Sequence, residues 1–376
     1  MSERMVIWMD QTLSCAVQQS VLQEQLQALA GKLAELGNSC FDMDWTTWQK
    51  LDGQDLLKAS LLNKLRCNVD AGEQQLESAA SDGCRKIVIS YALQPWRGKG
   101  GDLVKLLQIS RAAGLDTALH IVNASEFAPA TIRELYPIVK DNGLTSLIIG
   151  DRDSLFDPFA VQDFFRAIWM EQPCPLEFHG HNRYGLATAN ALAAFDCGVD
   201  RLALSVAGIG RTGHAAAEEV LLGAYRAGAV WNTDGNLAET CSEILASLDI
   251  KVPAGKAVIG EHIFSHESGI HVNGIVKNSQ LYEAFAPETV GLSRRVVIGK
   301  HSGSTSLQAK FSEWGIPLDT KTTKTLLKKI RHLAVVKKTL IEEPQLKRMY
   351  YRLKRRSAME VLRKGTDAVE KTDRTR

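Results

Sequence analysis

An α/β fold, a closed (β/α)8 barrel followed by a smaller, mostly helical region, is what this sequence predicts, and three observations carry the prediction. Short β-rich runs alternate with helical stretches almost from the first residue; the alternation repeats eight times at intervals of about 25–35 residues; and it stops near residue 230. Parallel strands need a crossover connection, usually a helix, so regular alternation implies βαβ units. Eight units over residues 5 to about 228 approach the roughly 250 residues of a closed barrel. A doubly wound open sheet has the same periodicity, and the pattern alone leaves both open. In either fold, functional groups belong at the carboxyl ends of the strands.

The strands are predicted at 6–9, 39–43, 65–67, 86–90, 117–122, 146–150, 176–179 and 202–206. Between them, amphipathic runs at 21–36, 103–113, 132–139, 161–170 and 187–195 read as helices. In the first, Leu22, Leu26, Leu29, Leu33 and Leu36 recur at helical spacing. Gly37, Gly83, Gly114, Asn142-Gly143 and Gly198 punctuate helix ends, where a left-handed residue is needed. Beyond the barrel, 236–248 and 322–336 read as helices, with a His- and Gly-rich segment at 258–303 between them. From Glu342 to Arg376 there are 11 Lys/Arg against 6 Asp/Glu, a basic tail that reads as a solvated helix face or as a surface for an acidic partner.

Composition bounds the function. The chain has 376 residues, 45 Lys+Arg against 43 Asp+Glu, and 45% apolar residues. Disorder is excluded by that apolar content, and near-neutral charge argues against a nucleic-acid binder. No run approaches the roughly 18 apolar residues of a membrane span, and the N-terminus lacks a signal-peptide pattern. Seven scattered cysteines without a C-x-x-C suggest reduced thiols and a cytoplasmic protein.

Three segments carry chemistry. His179-Gly180-His181-Asn182 closes the seventh strand, and residues i and i+2 of a strand face one side, so both imidazoles can face one ion. Gly208-Ile209-Gly210-Arg211-Thr212-Gly213 matches a dinucleotide fingerprint but follows the eighth strand, with no acidic residue ending the next segment. It reads instead as a tight turn into a helix starting near Thr212, either purely structural or holding an anion on its amides. His262, His266, His271 and His301 cluster within 40 residues, and histidine is the side chain most easily poised as acid or base near neutral pH.

Those segments, from His179 to Asn190, then Gly208–Gly213, His266-Glu267-Ser268-Gly269-Ile270-His271 and Gly299-Lys300-His301-Ser302-Gly303, resemble the homocitrate synthase and isopropylmalate synthase family. Within it the chain is most similar to the homocitrate synthases of nitrogen fixation. The resemblance covers about residues 5–305. It implies a TIM barrel at 1–230, a linker and dimer-covering subdomain at 231–310, and leaves a helical basic tail at 311–376. It implies an acyltransferase that condenses acetyl-CoA with a 2-oxo acid such as 2-oxoglutarate, a divalent metal (Zn, Fe, Mn or Mg), and a homodimer or mixed dimer, with no nucleic acid or membrane partner. His271 matches the family's catalytic histidine, and His179 and His181 its metal-binding pair.

The departures gather in the barrel. The family opens on Asp-Thr-Thr-Leu-Arg-Asp; this chain has Asp10-Gln11-Thr12-Leu13-Ser14-Cys15, so Ser14 replaces the oxyanion-stabilising arginine and Cys15 the metal-binding aspartate. Asp42 stands for a glutamate, Arg183 for an acid, Arg152 for a threonine, and His214 for the metal-binding asparagine. One reading is a rebuilt metal site of His179, His181, His214 and Cys15, suited to Zn²⁺ or Fe²⁺. Asp10, Asp42, Asn182, Arg183 and Arg211 are then the substrate-binding candidates. The other is a catalytically inactive member that serves as a regulatory or complementing subunit of an active homologue.

Overall fold

The computed structural model describes residues 4–19, 21–70, 72–94, 100–169, 171–231, 235–267 and 283–373. They form two compact units, Met1–Ile259 and Gly260–Arg376.

In the first unit eight parallel strands run in sequence order, β1 (Ile7–Asp10), β2 (Cys40–Asp44), β3 (Leu65–Asp70), β4 (Lys86–Tyr91), β5 (Asp116–Ile121), β6 (Ser146–Asp151), β7 (Leu176–Gly180) and β8 (Arg201–Ser205). Pairing of β1 with β8, from Ile7↔Arg201 to Asp10↔Leu204, closes the sheet. The open-sheet alternative is thereby excluded, and all eight strands lie within a few residues of their predicted positions. Closure explains their composition. Strands covered by helices outside and packed inside are buried on both faces, as Ser146–Asp151 is along its whole length.

The helices form where an apolar stripe meets good end signals. In Gln23–Glu35, Leu26, Leu29, Ala30 and Leu33 are buried, Glu24 sits in the first turn and Lys32 in the last, each favourable to the helix dipole. The predicted 132–139 helix is instead two short ones, Pro129–Arg133 and Tyr136–Asp141. Pro137 cannot donate to Arg133, and its ring would meet that carbonyl in a continuous helix. The helix expected near Thr212 starts at Ala217. Ala207, Gly208, Gly210 and Gly213 all have positive φ, which no right-handed helix accepts. Ala215–Ala216 (β9) is extended and pairs with β8.

Inside the barrel, period-two alternation sorts side chains into layers. Val88, Ala118 and Ile148 make an apolar cluster deep in the barrel. On the other side a buried ion network crosses it. The Arg66 guanidinium on β3 donates to both carboxylate oxygens of Asp42 on β2 (2.6 and 2.7 Å) and of Glu177 on β7 (2.7 and 2.6 Å). One step toward the carboxyl ends, the same faces carry Asp44, Asn68, Ser90, His120 and His179, which border an open cavity.

In the second unit, Ser304–Ser312, Thr320–Lys337 and Glu343–Asp373 are helices whose core is Leu307, Phe311, Leu326, Leu327, Ile330, Leu346 and Tyr350. Asp319 caps the middle helix by accepting from the Thr322 amide at 2.8 Å. Among the described residues, no helix is long and apolar enough to cross a membrane.

Candidate metal centre and anion rim

The cavity, of about 870 Å³, sits at the carboxyl ends of the barrel strands. His179 is the penultimate residue of β7, and His181 forms an isolated antiparallel bridge with His214 of the Gly-rich turn. That bridge is how two segments more than thirty residues apart bring their imidazoles together. One ligand atom each from His179, His181 and His214 lies within 4.8 Å of the others.

The turn is shaped for this placement. Gly210 has φ +141°, and a Cβ there would lie 2.7 Å from the His214 ring. We expect Gly210→Ala to cost about 1–3 kcal/mol, from backbone strain and the displaced ring. Thermal unfolding checks this; an unchanged Tm would mean that the turn is not held by His214.

The protonation states suit a metal. Burial first, then neighbouring His181, pushes His214 down to about 3, and burial with the same neighbour and Arg66 takes His120 to about 3. Burial likewise lowers His179 and His181. All four rings are therefore neutral at neutral pH, the state in which imidazole binds cations. His181 Nδ1 lies 2.7 Å from Thr212 Oγ1 and 3.3 Å from the Gly213 carbonyl. A carbonyl only accepts, so we assign the proton to Nδ1, leaving Nε2 as the free lone pair. His179 Nε2 and His214 Nδ1 are buried without a hydrogen-bond partner. Such orphaned atoms are costly unless something binds them, and a divalent cation fits.

Not every expected residue joins them. Cys15 borders the cavity, yet its sulfur is not among the converging atoms, and burial pushes its thiol up to about 11. Of the four expected ligands, the three imidazoles converge and the thiol stands apart. Asp10 and Asp42 do not border the cavity. Asp10 is fully buried and accepts from the Thr12 and Leu13 amides at 2.9 and 2.8 Å, holding the start of the helix after β1. Asp42 is engaged by Arg66 and by Gln11 Nε2. Asn182 also turns inward: its Oδ1 accepts from the Ala187 amide at 3.0 Å. His271 lies outside the described residues. Of the other clustered histidines, His266 Nε2 is 3.5 Å from Glu283 and His262 Nε2 is 3.7 Å from Glu261.

Arg183 and Arg211 do border the cavity, together with Arg152, which the sequence reading left outside the site. Arg183 and Arg152 approach Asp153 at 3.8 and 3.3 Å, whereas Arg211 has no ion pair among the described residues. His120 was also missed. It stacks on His179 with ring centroids 5.1 Å apart and 8° between planes. Gly150 makes room for it, since a Cβ there would lie 2.6 Å from His120 Nε2. A lone histidine in the fifth strand, at its carboxyl end, was the available signal.

Fold and site together define a TIM barrel with three converging imidazoles and bordering arginines at the carboxyl-end face of its strands. Residues 62–244 match the HMGL-like family profile and 258–338 the homocitrate synthase post-HMGL domain-like profile. The chain belongs to the homocitrate synthase and isopropylmalate synthase family. It is 32% identical to 2-isopropylmalate synthase 2 of Caldanaerobacter subterraneus (85% of this chain, 80% of that one). It is 31% identical to homocitrate synthase 1 of a Nostoc species (77% and 79%). The HMG-CoA lyase structure from Brucella melitensis shares the barrel, with TM-score 0.53, 17% identity, 65% of this chain and 98% of that one covered.

Proposed function

We propose that the chain is an acyltransferase condensing acetyl-CoA with a 2-oxo acid that carries a second carboxylate, 2-oxoglutarate-like, at the three-imidazole centre. What carries the reading is the convergence of His179, His181 and His214, two matching the family's ligands and one newly histidine, beneath cationic side chains. His179, His181 and His214 would hold the ion, and a neutral nitrogen donor set favours Zn²⁺ or Fe²⁺ over Mg²⁺. When bound, a divalent cation supplies Lewis-acid polarisation of the ketone.

The protein's own groups do the rest. Arg183 and Arg211 bind the carboxylates of the 2-oxo acid, since guanidinium matches carboxylate in a fork. Arg152 shares Asp153 with Arg183, which orients both. His271 takes the proton from the acetyl methyl group, the role its family match gives it. The methyl carbon then bonds to the ketone carbon, the ketone oxygen takes up a proton, and water hydrolyses the thioester so that CoA leaves as the free thiol. Ser14, at the cavity wall, offers a hydroxyl donor where the family has a guanidinium; losing such an oxyanion donor typically costs about 3–4 kcal/mol. A slow enzyme follows. The protein works as a dimer in which the second region of one copy covers the barrel of the other.

Purified protein loaded with Zn²⁺ or Fe²⁺ should release free CoA from acetyl-CoA only when a 2-oxo acid is added, fastest with a dicarboxylic one. No release with any 2-oxo acid and any added metal sinks the enzyme reading. It would leave the second one, favoured by Ser14: a non-catalytic subunit that lends His271 to an active homologue. Co-expression with a genuine homocitrate synthase tests that, and failure to co-purify ends it.

A further inference from the structure

The cleft between the last two helices lies in the second unit and is independent of the barrel chemistry. The Thr320–Lys337 helix carries six Lys/Arg and no Asp or Glu. Like charges three and four residues apart destabilise a helix by about 0.2–0.5 kcal/mol per pair, so a counter-charge bound on this face would relieve repulsion that the helix itself leaves uncompensated. The facing helix adds to the same sign. Lys329 and His332 from one helix and Arg348 and Arg352 from the other line a cleft of about 520 Å³. Its remaining walls include Leu333 and Met349, which are packed against the core of the unit.

Spacing makes the four polar groups converge. Lys329 and His332 are an i, i+3 pair and Arg348 and Arg352 an i, i+4 pair, so each pair projects from one helix face. Among the described residues none of the four has an ion-pair partner; the one hydrogen bond is Arg348 Nε donating to the Pro344 carbonyl within its own helix, at 3.3 Å. Elsewhere in the unit some cations are paired: Lys310 lies 2.8 Å from Glu313 and 2.5 Å from Glu343, and Lys354 lies 3.4 Å from Asp319. What sets the cleft apart is that unpaired cations from two helices line one opening.

We propose that this cleft binds a small phosphorylated molecule, its diphosphate held by Arg348, Arg352 and Lys329 and its apolar body resting on Leu333 and Met349. Three permanent cations around one opening exceed what a single carboxylate balances, and two forked guanidiniums match the tetrahedral oxygens of phosphate. The half-buried apolar side chains favour a ligand with a flat or aliphatic body, as in a nucleotide, over an inorganic ion.

The test is isothermal titration of the full chain with pyrophosphate, ADP and CoA, each at two salt concentrations. ADP should bind one per chain, more weakly at high salt, and tighter than pyrophosphate. Arg348→Gln/Arg352→Gln should weaken ADP at least tenfold, and Lys329→Gln, on the facing helix, should weaken it too, with circular dichroism unchanged in both. Arg183→Gln/Arg211→Gln in the barrel should leave ADP binding as it was. CoA binding that follows the cleft variants would identify its ADP portion as one source of the ligand. No ADP or pyrophosphate binding at millimolar concentration, or ADP binding indifferent to both cleft variants, overturns the proposal. A short oligonucleotide bound through Arg348 and Arg352 while ADP is not would overturn it in favour of a nucleic-acid surface.

Discussion

Arg66→Met is expected to destabilise the protein by about 3–5 kcal/mol, because removing one partner of a buried ion network strands the others. Arg66 makes four hydrogen bonds to Asp42 and Glu177, and all three side chains are buried. Methionine fills much of the volume and satisfies none of the four carboxylate oxygens. For a domain of this size the apparent Tm should fall by roughly 10 °C. Lysine should not rescue it, since a single ammonium cannot address two carboxylates in forked geometry. The triple variant Arg66→Met/Asp42→Asn/Glu177→Gln should recover part of the loss, because it removes the stranded charges as well. Burial already holds the Asp42 carboxyl above its ordinary value, and Arg66 opposes that rise. Without Arg66 the folded pKa climbs further above the unfolded one. A group raised in this way stabilises the fold below its unfolded pKa and loses that contribution as pH rises through its folded pKa. The deficit of Arg66→Met relative to the parent should therefore widen from pH 5 to pH 8, in paired thermal melts. A deficit that narrows over that range would mean the carboxylates escape to solvent when the arginine goes.

The same network shows what the sequence could and could not disclose. Strand positions were legible because strands buried on both faces are short apolar runs, and the glycines between them mark the turns. That burial also hides which side chains point inward: Arg66 and Glu177 each interrupt an apolar run, and no periodicity separates the barrel interior from the helix-facing side. His120 was hidden for the same reason. His179 and His181 were legible as a local motif. His214 was found only through the family pattern, since nothing local brings it to His181; the cross-loop bridge does. Cys15 was placed among the ligands by homologous position, but position in a motif does not aim a sulfur. Asp10 and Asp42 likewise occupy matching places, and in the fold neighbouring amides and Arg66 engage their carboxylates.

His179→Ala should abolish stoichiometric metal binding, and the variants around it should grade the loss in an order set by distance from the ion. The three imidazoles supply every converging ligand atom among the described residues, so losing one leaves two, too few to hold a divalent cation against water. Thr212→Val keeps all three rings but removes the hydroxyl 2.7 Å from His181 Nδ1. Loss of such an outer partner typically weakens metal by about 10–100-fold, because the ring's tautomer and orientation are no longer fixed. Cys15→Ser should change nothing, since its sulfur stands outside the cluster. Competition with a chromogenic chelator, using Zn²⁺ and then Fe²⁺, reads all three against the parent without requiring turnover. A parent chain that takes up neither ion removes the metal from the proposed chemistry altogether. A loss in Cys15→Ser equal to that in His179→Ala would restore the thiol as a fourth ligand, and would require the helix after β1 to shift when the ion binds.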